Sequence, residues 1–107
     1  MKGKTMFLRF TEAYEDVEHY NSALGKKKWL TRDISVNLEH VDYLRREEKI
    51  HWYIQNDEAA HTHFEKGQKF TRISVNRGMG GQEIVVLGSL EEVEDLITSS
   101  KKKVLKG

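Results

Sequence analysis

The sequence predicts an α+β fold: a twisted antiparallel β-sheet of about five or six strands, one C-terminal helix packed on one face, and a second short helix or an excursion loop near residues 12–24. Three observations carry this reading. Ser89, with Glu92 three residues later, is a capping box ahead of Leu90, Val93, Leu96 and Ile97, which mark one apolar helical face. Ile84-Val-Val-Leu87 is a β-branched run too short for a helix, and it ends at Gly88. Ile34, Val36 and Leu38 alternate with polar residues, as a half-buried strand requires.

Taken in order, Met6-Phe-Leu-Arg-Phe10 is aromatic and β-prone, with Lys2 and Lys4 beside it to blunt an edge. Tyr14, Val17 and Tyr20 then follow at i, i+3 and i+6, a weak helical stripe that Gly25 would terminate. The alternation after Trp29 breaks at Glu39-His40 and restarts in the other phase at Val41, which predicts a bulge or a one-residue bend. Arg45-Arg-Glu-Glu-Lys49 reads as a charged hairpin loop, Ile50-His-Trp-Tyr-Ile54 as another strand, and Gln55 to Gln68 as a long polar loop. Phe70 to Asn76 is a further strand, although Phe70, Ile73 and Val75 do not share one phase. Arg77-Gly-Met-Gly-Gly81 joins it to Ile84–Leu87 as a glycine-rich hairpin. The helix from Leu90 to about Ser99 is expected to bury Leu90, Val93, Leu96 and Ile97 against Ile34, Val36, Ile54, Ile73, Val75, Ile84 and Val86, leaving a basic tail from about residue 100. Thr31–Asn37 and Thr71–Asn76 match if Asp33 is skipped, but their flanks diverge and alternating Ile-x-Val strands have few spellings.

At 107 residues the chain is expected to be one domain with a single core. Its apolar fraction of 37% is below the usual ~45–50%, and its charged fraction is 33%, so the core is thin or is completed by self-association. Net charge is only +1, so no global field draws the protein to nucleic acid or a membrane surface. The lack of cysteine removes disulfides, thiolate metal sites and thiol catalysis. No run approaches the ~20 apolar residues of a membrane span, and the start lacks the apolar core of a signal peptide, so a cytoplasmic protein without membrane contact is expected.

Function enters through a few local groupings. Gly78, Gly80 and Gly81 let main-chain amides approach a partner, Arg77 would pair with an anion beside them, and Met79 would be an apolar loop tip. These glycines join two strands instead of opening a helix, so they are not a nucleotide loop. Lys26, Lys27, Lys28, Arg45 and Arg46 are candidate phosphate contacts, with Trp29, Trp52 and Tyr53 as stacking surfaces. His61-Thr-His63, near His51 and Asp57, Glu58 and Glu65, has the ligand types of a divalent-metal site. No serine sits on a nucleophile elbow and no triad can be assembled. The reading is therefore a small non-catalytic binding or regulatory module acting through a sheet face or the Arg77–Gly81 loop, self-associating or meeting a protein partner, with no cofactor. A nucleic-acid binder is the alternative, and a metal-dependent enzyme using His61 and His63 is third.

Overall fold

Alternating β-prone residues pair into five antiparallel strands in the computed structural model of the chain, which describes residues 6–21, 26–55, 64–65, 67–76 and 80–106. They are β1 (Phe7–Asn21), β2 (Lys26–Asn37), β3 (Val41–Arg46), β4 (Phe70–Asn76) and β5 (Gly81–Leu87), side by side in the order β2-β1-β5-β4-β3. Helix α1 (Lys49–Gln55) lies between β3 and β4 in the chain, and helix α2 (Leu90–Lys106) closes it. The long axis of 55 Å is set by β1, whose 15 residues at about 3.3 Å each span a similar length. The radius of gyration is accordingly 15.7 Å, against about 13 Å for a round domain of this size.

Residues 12–21 form neither the short helix nor the loop weighed for 12–24 but the second part of β1, and 22–24 lie outside the described residues. From Phe7 opposite Asn37 to Asp16 opposite Lys28, β1 pairs residue by residue with β2. Cross-strand pairing explains why the strand prevails: Arg32 Nε donates to Glu12 Oε1 at 2.8 Å, and its guanidinium lies 4.2 Å from the centre of the Tyr14 ring. These pairs exist only when both segments are extended. The expected bend at Glu39-His40 is a 3-10 turn over Leu38–His40, followed by a register shift between Val41 and Tyr43.

Two further segments differ from expectation. Arg45 and Arg46 are not in a loop; they end β3 opposite Arg72 and Thr71. The segment Ile50–Ile54 is helical, not extended, because the buried Glu47 accepts the Lys49 N–H at 3.0 Å and starts a helix there. Ile50 then turns inward and is buried. The side chain of Ile54, expected in the core, lies outside the described part.

The sheet is covered on both sides. One core holds Phe10, Val36, Leu38, Ile73, Ile84, Val86, Val93 and Ile97, and the other holds Ala13, Ile50, Phe64, Phe70 and Val85. This explains the unbroken run Ile84–Leu87, since a strand buried on both faces has no polar phase. It also explains the mixed phase of β4: Phe70 meets Phe64 edge-on at 5.5 Å on one side, while Ile73 faces the other.

Helix α2 starts on the predicted capping box, with Ser89 Oγ accepting from Glu92 N at 3.1 Å and Glu92 Oε1 accepting from Ser89 N at 3.2 Å. It continues to Lys106, so the basic segment from residue 100 is helical, and lysines near its end complement the dipole. Val93 and Ile97 are buried and Leu90 is half-buried, but Leu96 is 51% exposed. At about 100° per residue the contact line runs through 90, 93 and 97, and Leu96 falls about a quarter turn off it.

Gly88 joins the sheet to this helix. Its N–H donates to the Lys69 carbonyl at 2.9 Å, its carbonyl accepts from Thr71 Oγ1 at 2.9 Å, and its φ is +122°. A Cβ there would sit 3.3 Å from Val93 Cγ2, in the core. Gly88→Ala is expected to destabilise the fold by about 1–3 kcal/mol through backbone strain and this contact. The check is a lowered denaturant midpoint with an unchanged slope.

Candidate functional site

The site is a groove of about 380 Å³ lined by Phe7 of β1, Ile34, Ser35, Val36 and Asn37 of β2, His40, Val75 of β4, and Gln82 and Ile84 of β5. Local hydrogen bonding shapes its rim. Asn37 Oδ1 accepts the Glu39 N–H at 3.0 Å, an Asx-type turn that stops β2 and starts the 3-10 turn. Leu38 then drops into the core with 1% exposure, its N–H bonded to the Met6 carbonyl at 2.9 Å, while His40 stays exposed on the rim. The floor is apolar, from Ile34, Val36, Val75 and Ile84, and Phe7 forms a lip that is 59% exposed.

The groove touches four consecutive residues of β2. Phe7 of β1, Val75 of β4 and Gln82 and Ile84 of β5 line it as well, and these strands lie on the inner side of β2, so the groove runs inward from β2 and is not itself the outer edge of that strand. β2 is an outer strand of the sheet, so that edge has no neighbouring strand among the described residues.

A second polar cluster spans β3, β4 and β5. Tyr43 Oη donates to Glu83 Oε2 at 2.8 Å, Arg45 Nη2 donates to Glu83 Oε1 at 3.1 Å, and Arg72 Nη1 lies 3.8 Å from the same carboxylate. Arg72 also donates through Nε to Glu47 Oε2 at 2.6 Å. Burial alone would push the Glu47 carboxyl up, but the Arg72 guanidinium and the Lys49 and Ile50 amides together outweigh it and hold the group below its ordinary value of 4.5. Each acid is answered by a base or an amide. The cluster ties three strands and the start of α1 together.

The sequence-predicted candidates do not converge. Lys26–Lys28 open β2 and Arg45 and Arg46 end β3, at opposite edges of the sheet with three strands between them. The side chains of Lys26, Lys27, Lys28 and Tyr53 lie outside the described part. Trp29 is half-buried against the second core, Trp52 is 60% exposed on α1, and Arg46 is paired with Glu91. Gly80, with φ +115°, precedes Gly81 opposite Asn76, which fits a β4–β5 hairpin; Arg77, Gly78 and Met79 lie outside the described residues. His61 and His63 do too. His51 Nδ1–H donates to the Gln68 carbonyl at 2.6 Å, and no group of three or more His, Asp or Glu is placed to hold a metal among the described residues. No helix among them is long and apolar enough to cross a membrane.

The groove itself escaped the sequence reading. The signals present were Phe7, an aromatic out of phase with Met6, Leu8 and Phe10, and the Asn37-x-Glu39 turn beside an alternating strand. No family model, curated protein or solved structure matches the chain.

The Glu47 geometry sets an acid dependence. Its carboxyl is depressed in the folded state, so the associated stability is present above about 4.5 and is lost as pH falls through the lower folded value. Glu47→Gln is expected to cost about 1–2 kcal/mol at pH 7, Arg72 being partly exposed. The difference from wild type should shrink in denaturation curves taken at pH 4.5 and below.

Proposed function

We propose that the protein is a small, non-catalytic interaction module that takes an extended polypeptide segment along the outer edge of β2. The observation that carries this reading is the strand order, which leaves one side of β2 without a neighbouring strand among the described residues, beside a groove that Ile34, Ser35, Val36 and Asn37 line. Strand addition needs just these two components: unpaired main-chain groups to supply the hydrogen bonds and a pocket for alternate side chains to select the sequence. The floor of Ile34, Val36, Val75 and Ile84 suits apolar side chains, and Asn37, His40 and Gln82 provide polar contacts at the rim.

The chemistry of the groove supports binding over catalysis. Ser35 and His40 line it, but no hydrogen bond joins them among the described residues, and a nucleophile needs a base within such reach. The nucleic-acid reading has less support, because Arg32, Arg45, Arg46 and Arg72 are each engaged by a carboxylate. Phosphate binding would first have to break those pairs.

Selection from a displayed random-peptide library tests the reading. Binders are expected to alternate apolar with polar residues and to shift the amide resonances of Ile34–Asn37, Val75 and Ile84. Ser35→Pro should abolish binding, since it removes an edge N–H that β1 does not use, whereas Ser35→Ala should retain it. Binders indifferent to Ser35→Pro, or shifts centred on Tyr43 and Arg45, would contradict it.

A further inference from the structure

We infer that the segment taken by this edge is β2 of a second copy of the chain, in an antiparallel two-fold arrangement centred on Ile34; this rests on the reading of the β2 edge as a binding surface. The parity of the ladder comes first. A strand residue directs its N–H and C=O to the same side, and the sides alternate along the strand. Leu38 N–H bonds the Met6 carbonyl, so in step with it Val36, Ile34 and Arg32 point towards β1. Thr31, Asp33, Ser35 and Asn37 therefore point outward, where no further strand follows among the described residues.

Two of the usual protections of an edge, proline and a bulge, are missing from this stretch, whose charged residues are Arg32, paired with Glu12, and Asp33. The lysines of β2 lie at its other end, at 26–28. The stretch pairs with a copy of itself only if outward-pointing residues meet outward-pointing residues, which restricts the two-fold to positions that keep this parity. Centring on Arg32 sets Arg32 against Arg32, and centring on Asp33 sets Asp33 against Asp33; like charges directly opposite destabilise a sheet. Centring on Ile34 sets Ile34 against Ile34, Asp33 against Ser35, Arg32 against Val36 and Thr31 against Asn37. This register pairs all of Thr31–Asn37 without opposing like charges, whereas centring on Ser35 pairs only Asp33–Asn37.

The arrangement also suits the groove. Ile34 of each copy meets the other beside the apolar floor, extending a core that the composition makes thin. Both copies use the same surface, so the assembly closes as a dimer and leaves this edge spent.

Because the chain has no cysteine, single substitutions report the register directly. Residues opposite one another in paired strands have Cα atoms about 4.5–5.5 Å apart, within the range of a disulfide. Ile34→Cys should cross-link to a dimer under mild oxidation, and Ser35→Cys, on a diagonal, much less. Light scattering should give wild type twice the 12.5 kDa chain mass, and Ser35→Pro the mass of one chain. Preferential cross-linking of Ser35→Cys would overturn the register. A wild type that stays at one chain mass while its groove binds selected peptides would overturn self-pairing alone; one that stays at that mass and binds none would overturn the edge reading as well.

Discussion

A single backbone bridge, Glu12 opposite Val86, registers the β1–β2 hairpin against the rest of the sheet. Val86 is fully buried, and Glu12 has only 7% of its surface exposed. A charge this deep is tolerable only when paired, and the pairing comes from the next strand, where Arg32 holds Glu12 Oε1. The ion pair thus ties β2, β1 and β5 in one line. Both cores depend on it, because Phe10 and Val36 of the hairpin enter one and Ala13 enters the other.

This constraint explains which parts of the fold were legible in the sequence. The capping box, the Ile84–Leu87 run and the Ile34/Val36 alternation are local signals, and each gave its element correctly. Residues 12–21 carry no such signal. Glu12, Glu15 and Glu18 favour helix locally, and extended structure prevails through cross-strand partners such as Arg32 for Glu12 and Trp29 for Glu15. The segment Ile50–Ile54 failed in the opposite direction: its β-prone composition yields to a helix start supplied by Glu47, a residue that the charge pattern assigned to a solvated loop. Leu96 shows a finer limit, since an apolar stripe on paper is wider than the line of contact that one helix makes with a sheet.

The candidate site was less legible than the fold, for a physical reason. Its lining comes from four separate stretches around Phe7, Ile34–His40, Val75 and Gln82–Ile84, and none contains a motif. What lies beside it is an edge strand, a property of strand order. Of the charged groupings that stood out in the sequence, Arg45 and Arg46 are engaged by Glu83 and Glu91.

The central claim is that β2 has an inner side satisfied by β1 and an outer side kept for another strand. Residue-resolved amide hydrogen exchange along β2, measured over a range of protein concentrations, tests it most directly. The account predicts that Arg32, Ile34 and Val36 are protected at every concentration, while Thr31, Asp33, Ser35 and Asn37 exchange fast in dilute protein and gain protection as concentration rises. Uniform exchange along the strand, unchanged by concentration, would contradict it.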